Sequence, residues 1–442
     1  MVSESALLNL YVQVAPAALY RLLQKQAGKV TRNGIFSARL VVWMMMSQRL
    51  QTGGSLARSV EQLHQGRFDP LLSRCKRVRE KRIGLGTGGY CQARQKLPTI
   101  VLRRSVTELI ERLRRRITED TPNGQPRIYV VDGSSLQLEY SPEMGKAYPR
   151  AHGLHQSHRL IVRLVVLHDV ETGLAERPYW GPMYGRQAVS EQELAQRAME
   201  HVPAGAVVMG DRNFGIFSTA YHAHQHGHGV MVRLTKVRAT ALAGAPISRQ
   251  GEWPVQWRSS RWDRAKHPGW PMDAQAAGRL IAWRVGRGKH KQWLYLFTTL
   301  DAPAERVVEW YGKRWRIETD LRSLKQTVRL SQLHVRSTDM VEKELLVAVL
   351  AYNLVRTIMC LAAKSSGGDP RQLSFTYACN IVLDGCPALL AARGEKRQQQ
   401  ALDRIIGLVG RCKLPKRRKP RRYPRAVWGR GFRFPFRKEG EN

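Results

Sequence analysis

The apolar residues of this chain follow two grammars that change near residue 121. Before that point the spacing is helical. "SARLVVWMMMSQRL" is densely apolar without strand-like alternation. In "LPTIVLRRSVTELIERLRRRI", Leu102, Val106, Leu109, Leu113 and Ile117 recur at helical spacing, while Arg103, Arg104, Arg112, Arg114, Arg115 and Arg116 occupy the other face. Between these helices, "RCKRVREKRIGLGTGGY" is basic and glycine-rich and predicts a loop or turn. "TPNGQP" at Thr121 is turn chemistry and marks a boundary. After it come strands. "RIYVVDGSS", "RLIVRLVVLHDVETG" and "GLAERPYWGPMYG" predict an antiparallel meander. "AVSEQELAQRAMEHV" predicts a helix, "AVVMGDRNFG" a buried strand, "FSTAYHAHQHG" a short helix and "GVMVRLT" a further strand. Strands followed by strand–helix alternation predict an α/β domain with a mixed sheet.

From about Val237 to Gln292 this pattern breaks into a stretch rich in Gly, Pro and Trp. Strand character resumes in "RLIAWRVGRG" and "WLYLFTTL", which together read as a β-rich insertion. The expected organisation is therefore a helical N-terminal domain (1–120), a first catalytic part (121–236), the insertion (237–292), a second catalytic part (293–366) and a C-terminal helical segment with a basic tail (367–442). The most apolar run, Leu345 to Ala363, carries Asn353 and Arg356 near its middle. Those groups are costly in hydrocarbon, so a buried core helix is the better reading than a membrane span. "LVVWMMM" at Leu40 is too short to span, and the N-terminus lacks the basic flank of a signal peptide. No membrane partner is expected, and a cytoplasmic protein is.

Charge changes the picture most. The chain holds 73 Lys+Arg against 35 Asp+Glu, a net +38, which points to a polyanion, nucleic acid first and a membrane surface as the rival. The N-terminal helices read as a DNA-binding module, with a packing domain bearing a solvated basic face as the alternative. Arg411 to Lys438 holds 13 basic residues and no acid, broken by Pro and Gly, and predicts an extended or disordered phosphate-binding tail. The six cysteines form no CxxC pair, which argues against zinc and suits a reducing compartment. Two histidine runs, His152, His155 and His158, and His222, His224, His226 and His228, lack zinc-ligand spacing and read as exposed polar residues near DNA.

The chemistry concentrates in "YGKRWRIETDLRSLK", Tyr311 to Lys325, which reads as one helix. At about 100° per residue, Tyr311, Arg314, Glu318 and Lys325 share a stripe about 60° wide, and Ile317, Leu321, Leu324 and Val328 form a docking stripe beside it. Asp132 and Asp211 each end an apolar strand run, where α/β sheets place ligands. Three carboxylates brought together repel, and a divalent cation removes that penalty. Oxygen-only ligands select Mg²⁺ or Mn²⁺, and two such ions serve phosphoryl transfer. Arg314 and Lys325 would hold phosphates beside them, Tyr311 would stack or donate, and Arg212 is a further phosphate ligand.

In this order of motifs the chain resembles the DDE transposases of bacterial insertion sequences, in the group defined by Y-x2-R-x3-E-x6-K. Tyr311, Arg314, Glu318 and Lys325 match that signature, "VVDGSSL" resembles the first-aspartate segment, "GDRNFG" the second, and "GGYCQARQKLP" a segment common in the group. The likeness spans roughly Gly34 to Asn353. It implies a ribonuclease-H-like catalytic domain with a β-rich insertion before the glutamate. It also implies cut-and-paste transposition: Mg²⁺-dependent nicking at the terminal inverted repeats, excision, and strand transfer into target DNA by the free 3′-hydroxyl. In relatives an insertion tryptophan stacks on a flipped base; Trp253, Trp257, Trp262 and Trp283 are candidates here. Synapsis of two ends implies at least a homodimer. The runner-up function is a catalytically inactive DNA-binding protein derived from a transposase; a plain nuclease is third.

Overall fold

The computed structural model describes residues 6–29, 34–51, 53–73, 75–80, 82–118, 126–151, 160–286, 292–331, 333–384 and 395–415. The 152–158 histidine run, Cys386 and residues 416–442 of the basic tail lie outside these ranges.

An eight-stranded sheet organises the fold: β1 (Ile128–Leu138), β2 (Leu160–Asp169), β3 (Tyr179–Pro182), β4 (Val207–Gly210), β5 (Gly229–Arg233), β6 (Gly251–Arg258), β7 (Gln275–Val285) and β8 (Gln292–Thr298). Their order across the sheet is β3-β2-β1-β4-β5-β8-β7-β6. β1, β2 and β3 pair antiparallel, and β1–β4 and β4–β5 pair parallel. This is the ribonuclease-H-like mixed sheet the resemblance implied. The insertion does not form a separate sheet. β6, β7 and β8 are an antiparallel meander that joins the free edge of β5 through β8, so three further strands cover what would otherwise be an unpaired edge.

Side chains alternate across the sheet and build a core on each face. Val130, Val166, Met209 and Met231 face one core, shared with the helix Thr338–Ser366. Tyr129, Val131, Val208 and Val230 face the other, shared with the helices Glu191–Met199 and Phe217–Gln225. Thr338–Ser366 is the central helix of the first core, and its most apolar window is 94% buried. Its two polar groups have partners. Asn353 bonds both the N–H and the carbonyl of Ala175, at 2.8 and 2.7 Å, and Arg356 donates to Asp320 at 2.6 Å.

The N-terminal helices are continuous with this core. Ala38–Leu50 and Thr99–Thr118 pack directly on Thr338–Ser366, and Leu7, Met44 and Leu109 share a cluster with Val347 and Val130. Ion pairs seal the junction: Arg49 and Arg94 both bind the buried Glu344, and Arg103 binds Glu342. The Thr99–Thr118 helix is amphipathic as its spacing predicts, but its basic face is partly consumed by structure. Arg114 is buried against Glu176 and Glu111, while Arg104 and Arg116 stay exposed. "RCKRVREKRIGLGTGGY" is less irregular than expected: Lys76–Arg79 forms a short helix, and Gly88 and Gly89 begin the helix Gly88–Lys96. Gly89 is tolerated there because it packs closely under the Phe36 ring.

Candidate active site

Asp211 follows the end of β4 as expected, but Asp132 does not end its strand: it lies within β1, beside the point where the parallel pairing with β4 stops. β1 and β4 pair Val130 with Met209. Asp132 and Asp211 each stand two residues beyond that pair, and the charge of Asp211 acts on Asp132. Alternation gives Asp132 the parity of Val130 and Asp211 that of Met209, so both side chains lean toward the same face. The Asp132 carboxylate is held by its neighbour's backbone, accepting from Gly133 N–H at 2.8 Å. Asp211 Oδ1 accepts from Asn213 N–H at 2.8 Å, which fixes the loop that follows β4. The glycine ending "GDRNFG" is required: a Cβ on Gly215 would collide with the carbonyl oxygen of Arg233.

The segment carrying Glu318 packs over β1 on that same face. It is not the single regular helix the spacing predicts. Ala304–Gly312 is followed by a 3₁₀ turn at Lys313–Trp315, an α-helix over Arg316–Arg322 and a π turn over Ser323–Thr327. The one-stripe geometry assumed a uniform pitch, and these changes of pitch break it. Contacts rather than periodicity place two of these side chains, Arg314 and Lys325, against β1, and the helix that carries Glu318 packs over the same strand. Arg314 is buried and exerts its charge on both Asp132 and Tyr311. Glu318 stands one turn on, half-buried in the first turn of its helix. Lys325 reaches across to β1, donating to Ser134 Oγ and the Ser135 carbonyl, each at 3.1 Å. Tyr311 is 6% exposed, and its hydroxyl lies beside Arg314 with no well-formed hydrogen bond among the described residues. Arg212 is exposed on the loop directly after Asp211.

The electrostatics are those of an anionic site short of cations. Burial pushes the Asp132 carboxyl up to about 6, and the charges of Asp211 and Glu191 add to the rise; the Gly133 N–H and Arg314 oppose it. Burial likewise pushes Tyr311 up to about 12, against Arg314 and Arg233. An all-carboxylate donor set with this surplus of negative charge suits a hard divalent cation.

A family model described as "Transposase DDE domain" matches residues 123–354. The chain belongs to the DDE transposases. It is also 27% identical over 439 residues, 95% of this chain and 91% of the relative, to the transposase InsG for insertion sequence element IS4 of Escherichia coli strain K12. This transposase therefore cleaves DNA and transfers strands, with a divalent metal as the family's cofactor.

Three features went unread in the sequence. Asp320, two residues beyond Glu318, points away from the site into the core and binds Arg356, Arg371 and Tyr352. Glu191 and Asn213 line the strand ends beside the aspartates. Glu191 follows Ser190, the cap of its helix, so its acidity had a local explanation. The histidines after residue 221 also differ from expectation. His228 is buried and donates to the Met199 carbonyl at 3.0 Å. His222 is half-buried and donates to the Gln196 carbonyl at 2.9 Å. A spacing of four, not two, brings His222 and His226 beside Glu200, with potential ligand atoms within 4.8 Å of one another. Among the candidate tryptophans, Trp257 is buried and Trp253 and Trp283 are half-buried, whereas Trp262 is 86% exposed.

Proposed function

We propose that Asp132, Asp211 and Glu318 are the catalytic carboxylates and together hold two Mg²⁺ or Mn²⁺ ions. The observation that supports this reading is the register of β1 and β4, whose last pair, Val130 with Met209, lies two residues before Asp132 and Asp211, with the helix of Glu318 packed on β1. When bound, such ions activate an attacking oxygen and stabilise the leaving one. The chain's own groups do the rest. Arg314, already beside Asp132, takes the scissile phosphate, and Lys325, anchored along β1, takes a neighbouring one. The unsatisfied Tyr311 hydroxyl donates to a phosphate oxygen at the same place. Arg212 adds a contact from the β4 loop. The exposed Trp262 ring offers a stacking face for an unpaired base.

The substrate in this reading is double-stranded DNA at the terminal inverted repeats of an insertion sequence, then target DNA. Water attacks first and the freed 3′-hydroxyl second, in cut-and-paste order. Two copies of the chain hold two ends in synapsis, in the cytoplasm. The N-terminal helices and the basic tail grip phosphates around the site.

A strand-transfer assay with Mg²⁺ and a labelled end fragment tests the assignment. Glu318→Ala is expected to bind the fragment like the wild type and to lose cutting. A variant that cuts normally removes Glu318 from the site. A wild type that binds without cleaving favours an inactive derivative, and cleavage with no joined product favours a nuclease.

A further inference from the structure

The helix Glu191–Met199 lies on the opposite face of the sheet from Glu318, yet its first residue reaches the same strand ends. Leu194, Ala195, Ala198 and Met199 bury that helix in the second core, and the Ser190–Glu193 capping box fixes where it starts. Glu191 at its first position is thereby held over β1. The space it occupies is made by a missing side chain: a Cβ on Gly133 would collide with the Glu191 carboxylate. Glu191 is thus packed on the residue that follows Asp132, and its charge acts on Asp132.

A second contact ties it to the other aspartate. Glu191 Oε2 accepts from Asn213 Nδ2 at 2.7 Å, and the backbone N–H of the same Asn213 donates to Asp211 Oδ1 at 2.8 Å. Gln192 Nε2 donates to the Asn213 carbonyl at 3.0 Å and to its Oδ1 at 2.7 Å, orienting the asparagine amide toward Glu191. One oxygen of Glu191 is therefore held, and the other lies against Gly133 at the side of Asp132.

Glu191 is half-buried and, like Asp132 and Asp211, has no ion-pair partner among the described residues. The buried acids elsewhere are met by guanidinium groups: Glu176 by Arg114, Asp320 by Arg356 and Arg371, Glu344 by Arg49 and Arg94. A helix N-terminus alone favours an acid, but that preference needs neither the approach to Asp132 nor the bond to Asn213.

We propose that Glu191 is a fourth acid of the cation site, a positioning residue that holds a divalent cation, or the water shell around it, from the face opposite Glu318. This rests on the placement of cations at Asp132, Asp211 and Glu318. It makes the site a carboxylate ring closed from both sides of the sheet, with Asn213 linking Glu191 to Asp211.

The test is Mn²⁺ binding to the full chain, followed by the electron paramagnetic resonance of free Mn²⁺ without DNA. Glu191→Gln keeps the acceptor for Asn213 and removes the charge. Its Mn²⁺ affinity is expected to fall on the order of tenfold, as for other groups that orient a metal's ligands, while its melting temperature without metal holds. Gly133→Ala, which displaces the Glu191 carboxylate, is expected to weaken Mn²⁺ in the same direction. A Glu191→Gln protein with wild-type Mn²⁺ affinity overturns the inference, and a lowered melting temperature beside it assigns Glu191 to helix capping. Asp132→Asn and Glu318→Gln separate this from the underlying reading: if they too bind Mn²⁺ like the wild type, the whole cation site is misplaced. If they lose Mn²⁺ and Glu191→Gln does not, only the fourth acid fails.

Discussion

Two acidic centres, one around Asp320 and one around Asp132, are built on opposite plans. Asp320 is 1% exposed, and burial alone would raise its carboxyl. Arg356 and Arg371 reverse that and hold it below the ordinary value, with Tyr352 donating to Oδ1 at 3.0 Å. Asp132 is less buried and yet goes the other way, up to about 6. Of the side chains that act on Asp132, Arg314 opposes the rise and Asp211 and Glu191 add to it. A fold that satisfies one acid so fully and leaves the next group of acids short of cations is not failing at electrostatics. The balanced centre joins the Arg316–Arg322 helix to the core helix and to the segment after it. The unbalanced one keeps a charge deficit that a divalent ion can fill.

The largest effect separating the two centres is on stability. Asp320→Asn leaves two buried guanidiniums facing an uncharged amide, and removing one partner of a buried ion pair costs about 3–5 kcal/mol. Urea denaturation is expected to show a loss of that size. A loss below about 1 kcal/mol would mean that solvent reaches the cluster and that the contrast with Asp132 is false. Asp132→Asn is expected to leave stability unchanged or higher, because it removes a strained charge.

The pH dependence of the metal-free protein sharpens the contrast. Asp132 is raised from 3.8 to about 6 in the folded chain. Between these values the folded state binds more protons than the unfolded state. Stability from this group is therefore highest in acid and is lost as pH rises toward 6, by on the order of 2 kcal/mol. Asp320 has the opposite sign: its contribution is present above its ordinary value and is lost as pH falls toward its lowered one. Denaturation at pH 4.5 and pH 7 in chelator is expected to show the Asp132 slope in the wild type and not in Asp132→Asn. The same slope in both proteins would assign it to another group.

The sequence made the sheet legible because each strand from β1 to β5 is a short apolar run closed by turn chemistry, and alternation carries Asp132 and Asp211 to one face. It made Arg356 legible only as a cost. The partner that offsets it, Asp320, sits inside the Tyr311–Lys325 segment, but at uniform pitch it falls about 180° from Tyr311, off the face of the signature residues. Glu318 and Lys325 were proposed from a regularity that the chain does not keep: the 3₁₀ and π turns alter the pitch on either side of Arg316–Arg322. The contact of Lys325 with β1 depends on where that strand lies, which is long-range information. Glu191 was hidden for the same reason, since its neighbours Gly133 and Asn213 lie far from it along the chain.

The smallest effect concerns a cation on the unbalanced side. Lys325 is half-buried, but it donates to neutral oxygens, Ser134 Oγ and the Ser135 carbonyl, rather than to a carboxylate. Arg371 in the balanced centre does the reverse, placing both of its terminal nitrogens on Asp320, at 2.9 and 2.6 Å. If the two cations serve different ends, their removal should read differently. Arg371→Met uncovers a buried charge and is expected to destabilise severely. Lys325→Met exposes two neutral acceptors that water can reach, and is expected to cost about 1 kcal/mol or less, while binding of an end fragment weakens and its salt dependence flattens by roughly one counter-ion. A Lys325→Met protein as unstable as Arg371→Met would show that this lysine is a structural cation after all, and that the deficit at the strand ends is smaller than the arrangement of Asp132, Asp211 and Glu191 implies.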